Sequence, residues 1–202
     1  MSALHDEILI WVKLKGFATA DALANQLCLP KDRVDMVLAA LVESGQAKQV
    51  PLGIKLRPNG SEAALHAWDA ERARTNQVIM AGVVKDFAAL DRVMQPLLSD
   101  WKMKKTPDGP VRNLHQDHAY DDALVERALA LSADARRMVE SLATQVPRCA
   151  AYARRLTRAE RKVACGNLRY ISSSLLDSIE TVWWEMRQDM LVLAKPDRLV
   201  CA

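Results

Sequence analysis

No apolar run in the 202-residue chain approaches the ~20 residues a membrane-spanning helix needs, so no membrane partner is expected. The amino terminus, MSALHDEILIWVK, has neither the basic start nor the cleavage site of a secretory leader, and cytoplasmic residence is the expectation. Cysteine is sparse. Cys28, Cys149, Cys165 and Cys201 form no CxxC pair, which argues against a zinc site or a disulfide framework and reads as reduced, mostly structural thiols. Charge of one sign is also scarce: 28 Lys and Arg oppose 25 Asp and Glu, a net +3 that permits nucleic-acid binding without demanding it. Residues 1–60 hold seven basic against six acidic side chains, a net of +1 and a weak electrostatic footprint. There is no Gly-rich phosphate loop, GxSxG elbow, HExxH pair or kinase set, and nothing near Cys28 or Cys149 suggests an activated thiol. Neither an enzyme nor a cofactor is therefore expected, and internal repeats and low-complexity tracts are absent.

What is present centres on residues 19–60. Thr19 is an N-cap type residue opening a short helix with Leu23 and Leu27 inward, and Pro30 reads as the first residue of the next helix, where its missing N–H costs nothing. Val34, Val37, Leu38, Leu41 and Val42 follow at helical spacing, and Gly45 suits a left-handed end. Lys31, Asp32, Arg33, Asp35 and Met36 face outward on the early turns, the part of a helix-turn-helix that meets base edges. Residues 47–50 and 54–57 then flank the turn signal Pro51-Leu52-Gly53, which predicts a small hairpin. Its alternation sends Ile54 and Leu56 inward and leaves Lys48, Lys55 and Arg57 to reach phosphates. The plainer reading is a small helical domain with a surface hairpin.

A preceding helix, residues 4–15, carries Leu4, Ile8, Trp11, Val12 and Lys15 at helical spacing. Asn59-Gly60 marks the exit from the hairpin, and a mixed helix over residues 61–77 reads as a partly exposed connector anchored by Leu65 and Trp68. From Val83, one face collects Phe87, Leu90, Val93, Met94, Leu97, Leu98 and Trp101, with a kink expected at Pro96. Residues 102–116, with two prolines and a glycine, read as the longest loop. Asp117 or a neighbour starts a helix striped by Leu124, Ala128, Leu131, Ala135, Met138, Val139 and Leu142. The stretch 148–166 is the most basic, with Arg148, Arg154, Arg155, Arg158, Arg161 and Lys162 against Glu160; it reads first as a solvated face, and otherwise as an anion site or a DNA-backbone track. A last helix over residues 172–193 places Leu175, Leu176, Ile179, Val182, Trp183, Met186 and Met190 on a wide buried face. Trp183 and Trp184 diverge by about 100 degrees, so one belongs to the core and the other to an interface or pocket.

The cluster Asn113, His115, Asp117, His118, Tyr120 and Asp121 has three readings. A metal site is the least favoured because HxDH spacing is unspecific; packing with Asp117 as a cap and His115 against Trp101 is favoured, and an effector pocket is the third. Such a pocket would draw on Trp101, Asn113, His115, Tyr120, Asp177 and Trp183.

The chain resembles bacterial winged-helix regulators of the MarR-like type that carry an extended helical carboxyl-terminal domain. The resemblance rests on Asp100-Trp101, on Asn113, His115, Asp117, Tyr120 and Asp121, on Pro147-Arg148 with Tyr152, and on Asp177-Ser178 with Thr181-Val182-Trp183. Ile179 and Glu180 stand where the pattern has tyrosine and histidine, and Lys102 where it has glutamine. The resemblance implies a cytoplasmic homodimeric transcriptional regulator with double-stranded DNA as its partner, and it implies no particular effector; the candidate set for a small-molecule effector adds Asp117 and Arg148 to the pocket residues above.

The resulting expectation is a mainly α fold: a winged helix-turn-helix over residues 1–60, a connecting helix over 61–82, and an all-α dimerisation and effector domain over 83–202. The expected function is transcriptional repression. The alternatives are a winged-helix protein-interaction module or an accessory domain to a metabolic enzyme.

Overall fold

The computed structural model describes residues 3–194, and over that span the chain is mainly helical, with two small antiparallel hairpins. Two compact units arise, one from the residues up to Met80 together with the chain from Gln188, the other from Ala81–Arg187.

In the first unit, α1 (Ala3–Lys15) buries Ile8, Leu9, Ile10, Trp11 and Val12 without interruption, a helix enclosed on all sides rather than striped on one. Against it pack α3 (Lys31–Glu43), β2 (Gly53–Leu56) and α4 (Pro58–Arg74). The stretch read as a connector is thus α4 and the beginning of α5 (Gln77–Lys102), and α4 lies along α1. Asn59-Gly60 belongs to the first turn of α4 rather than to a hairpin exit. A Cβ on Gly60 would stand 2.0 Å from the Gln46 carbonyl oxygen, so only glycine lets the helix start this close to the turn after α3. Trp68 is buried and donates its Nε1–H to Asp189 at 2.7 Å, pinning α4 to the last helix, α8 (Ile179–Ala194). Leu65, the other expected anchor, is half-buried.

In the second unit, α6 (His118–Leu142) and α7 (Ala150–Ala164) form the most extensive helix pair, with Glu160 accepting from Ser132 (2.8 Å) and Arg136 (3.3 Å) between them. Phe87, Met94, Leu97, Leu98, Leu124, Val139, Leu156, Val182, Trp183 and Met186 supply the core. Asp91 accepts from Trp183 Nε1 (2.9 Å) and from Arg187 (3.0 Å), and the Phe87 and Trp183 rings lie 5.3 Å apart. α5 runs continuously through Pro96.

Several expectations are corrected. Residues 102–116 are not an irregular loop, and the region is not all-α: β3 (Met103–Thr106) pairs with β4 (Gly109–Arg112). Thr106 Oγ1 donates to the Gly109 carbonyl at 2.6 Å, Gly109 takes φ +114°, and Pro110 is tolerated because β4 has only one partner strand. The last helix begins at Ile179, not at 172: the Ser178 hydroxyl accepts from Thr181 N–H, while Ser178 and Thr181 both donate to the Ser173 carbonyl. Leu175 falls outside the helix and is exposed. Val42 and Val93 sit at the margins of their apolar stripes and are exposed too. Of the basic stretch, Arg148 and Arg155 are buried and only the remainder is a solvated face. Cys28 and Cys165 are exposed and Cys149 is buried, all three unbridged; Cys201 lies outside the described residues. Among the described residues, no helix is long and apolar enough to cross a membrane.

Candidate functional site

α2 (Ala20–Leu27) opens on the Thr19 hydroxyl, which accepts from Ala22 N–H at 3.2 Å. It closes on Cys28 in the left-handed region (φ 55°), with Leu29 N–H returning to the Ala24 carbonyl. Pro30 is the residue before α3, one position earlier than the sequence suggests, and its extended conformation turns the chain into the new helix. Asp21 and Lys31 form an ion pair at 2.9 Å across this turn; the hydrogen bond and the charge of Asp21 hold the Lys31 ammonium above its ordinary range. Val34, Leu38 and Leu41 face the core, and Gly45 follows at φ +72°.

The two-residue turn Pro51-Leu52 joins β1 (Ala47–Val50) to β2. Gly53 is fixed twice over, by φ +125° and by the Ala18 carbonyl, which would stand 2.4 Å from any Cβ. That carbonyl is close because Ala18 exchanges two hydrogen bonds with Ile54, at 3.0 and 2.8 Å, adding a third short extended element beside the hairpin. Ile54 and Leu56 point inward as expected.

Lys31, Asp32, Arg33, Met36, Lys48, Lys55 and Arg57 are all exposed, Met36 to 73%. Lys48 and Lys55 stand directly opposite each other in the register, a like-charge pair that disfavours the hairpin on its own. Arg57 is the N-cap residue of α4 rather than part of the strand.

On the other flank of α3 an open groove of about 890 Å³ runs along the hairpin. Its apolar lining includes Leu38, Ala39, Val42, Leu52 and Ile54, and its charged lining residues are Asp35 and Glu43. Sequence periodicity hides this groove because Val42 reads as core; the signal available is that Val42 sits at the edge of the stripe, beside two acids.

A second polar cluster lies at the base of the β3–β4 hairpin. Asn113 is buried, donating to Asp121 (2.8 Å) and to the Trp101 carbonyl (3.2 Å) and accepting from His115 N–H (3.0 Å). His115, at φ 56°, meets Asp121 through Nδ1 at 3.1 Å and lies on Trp101, ring centroids 4.4 Å apart. The expected packing against Trp101 is present, and the hydrogen-bond partner of the imidazole is Asp121. Asp117 caps α6 by accepting from Tyr120 N–H and pairs with Lys104. The Lys104 hydrogen bond and then that cap hold its carboxyl below the ordinary range. Burial, aided by Asp100, raises the Tyr120 phenol, whose hydroxyl donates to the Asp100 carbonyl. A shallow recess of about 320 Å³ here includes Lys104, Arg112, Asn113 and Asp117.

The other expected effector residues have different partners. Asp177 and Glu185 grip Arg155, which is fully buried, and Arg148 is buried in the short turn Pro147–Cys149 that precedes α7. Burial alone would lower the Arg155 pKa, but Glu185 and Asp177 hold it above the ordinary value. Trp183 is enclosed in the core. Lys102 and Glu180 pair with each other at 2.5 Å. Among the described residues, no group of three or more His, Cys, Asp or Glu is placed to hold a metal ion. No protein-family model, curated protein or solved structure matches the chain.

Proposed function

We propose that the chain is a DNA-binding transcriptional regulator of the winged-helix, MarR-like kind, acting as a homodimer to repress transcription under the control of a small-molecule effector. The observation that carries this reading is the uncovered outer edge of α3. It follows a tight helix-helix turn and precedes a hairpin with paired lysines, and nothing in its own unit hides Asp32, Arg33 or Met36.

The order α1, α2, α3, β1, β2, with Ala18 bridged to Ile54, is the order a winged helix requires, and it supports α3 as the helix that enters the major groove. Arg33 is the side chain on that edge suited to bidentate contact with guanine. Lys48 and Lys55 repel each other in the free protein, and a phosphate near both relieves that repulsion. A homodimer would set two α3 helices one DNA turn apart, about 34 Å, and the cluster around His115 is the place for an effector.

Selection from a random duplex library, followed by fluorescence anisotropy at several salt concentrations, tests the reading. Arg33→Ala is expected to cost about 1–3 kcal/mol and relax one base preference, while Lys48→Ala or Lys55→Ala lowers affinity for all sequences and reduces the salt slope by about one unit each. Equal, salt-insensitive affinity for every duplex would refute it.

A further inference from the structure

The groove between α3 and the β1–β2 hairpin has a chemistry that the DNA reading does not use. Its charged lining residues, Asp35 and Glu43, are both acidic although the chain as a whole is net positive. Among the described residues neither carboxylate takes part in an ion pair. A phosphate backbone seated here would meet two like charges, so DNA is the wrong occupant. Arg33 sits about 160 degrees round α3 from Asp35, so the side chain assigned to bidentate base contact faces away from the groove, whereas Asp32 and Met36 lie on the flank between the two. Between the two acids the lining is apolar, and Val42 (38% exposed) and Leu52 (61% exposed) leave hydrophobic surface open on both walls. Ala18, Ala20 and Ala39 keep those walls low, which lets a second backbone approach closely.

The spacing of the acids narrows the occupant. Asp35 and Glu43 are eight residues apart on one helix, about 12 Å along its axis, which matches two cations at i and i+7 or i+8 on another helix lying alongside. We propose that this groove docks an amphipathic helix of a partner protein, its apolar stripe against Val42, Leu52 and Ile54 and two basic residues, two turns apart, on Asp35 and Glu43. Recognition is of the helix-in-groove kind, with small and apolar anchors giving the contact and the acids setting the register. Such docking goes beyond the DNA reading and does not rest on it.

The test uses the full chain and two fluorescein-labelled synthetic helices of leucine and alanine, one with lysine at i and i+7, the other with glutamate there. Anisotropy is expected to show the lysine helix binding about tenfold more tightly than its twin, since two exposed ion pairs and the avoided repulsion each contribute modestly. Leu52→Asp and Val42→Asp should abolish binding. The double variant Asp35→Lys with Glu43→Lys should reverse the preference, a gain that misfolding cannot mimic, while Arg33→Ala and Lys55→Ala leave both affinities unchanged. Equal affinity for the two helices, or a preference that the charge reversal does not invert, overturns the proposal. A dimer that Val42→Asp dissociates in sedimentation would assign the groove to a second copy and overturn it as well. Duplex affinity is measured on the same proteins without peptide, so loss of DNA binding with intact peptide discrimination counts only against the preceding reading.

Discussion

Arg155 offers the sharpest test of how the second unit is held together. Its guanidinium is fully buried and donates to Asp177 through Nε (2.9 and 3.0 Å) and Nη2 (2.5 Å), and to Glu185 through Nη1 at 2.7 Å. It therefore joins α7 both to the segment before α8 and to α8 itself. Replacing it with methionine keeps much of the unbranched apolar stem but removes the guanidinium and its charge, so Glu185, at 8% exposure, loses this cation. Breaking a buried pair from one side costs about 3–5 kcal/mol. Asp177, with about a third of its side chain exposed, recovers part of its hydration and contributes the smaller share. At about 2–4 °C per kcal/mol for a chain of this size, Arg155→Met is expected to lower the Tm by roughly 6–20 °C in scanning calorimetry. Arg155→Lys retains the charge but not the planar fork and falls between the two. Adding Glu185→Gln to Arg155→Met should recover part of the loss. A fall of less than about 2 °C for Arg155→Met, against the 2–4 °C expected per kcal/mol, would show that the buried charge is not what fastens these helices.

Gly60→Ala places a methyl group against the Gln46 carbonyl, a backbone atom that cannot swing aside, and is expected to cost at least about 1–3 kcal/mol by urea denaturation, with α4 displaced from α1. Trp68→Phe removes the donor to Asp189, which is fully buried, and should cost about 1.5–3 kcal/mol by the same measurement, more than a phenylalanine replacement without that bond. Because Lys104 and the Tyr120 N–H hold the Asp117 carboxyl below its ordinary range, the stability it contributes is present above about pH 4 and is lost as the pH falls through that range. Amide protection at the start of α6, taken relative to the intrinsic exchange rate at each pH, should therefore fall below about pH 4 in the native chain and be low and independent of pH over that span in Asp117→Ala.

Legibility in the sequence followed the reach of the forces involved. Local signals carried far: Thr19 and Asp117 cap the helices they precede, and Ile54 and Leu56 turn inward by strand alternation. The His115 contact with Trp101 also follows from a compact motif. What stayed hidden depends on partners distant in the chain. Nothing near Arg155 indicates that Asp177 and Glu185 would bury it, so a basic run reads as solvated. Pro107, Gly109 and Pro110 suggest irregular backbone, yet the register from Met103↔Arg112 to Thr106↔Gly109 makes them a hairpin. Asn59-Gly60 looks like a turn because its true constraint, the Gln46 carbonyl, lies on another segment. The expected effector set divides for the same reason: residues 101–121 converge through local bonds, whereas Asp177 and Trp183 answer to Arg155 and Asp91.

The adjacent tryptophans of α8 give the chain an internal optical contrast. Trp11, Trp68, Trp101 and Trp183 are buried, whereas Trp184 is 40% exposed beneath Arg187. Iodide added to the native protein therefore collides with one indole in five, and its attraction to the neighbouring guanidinium favours that encounter. The emission that iodide removes is the light of a single side chain, and a molecule settling on that stretch of α8 would restore it without any label.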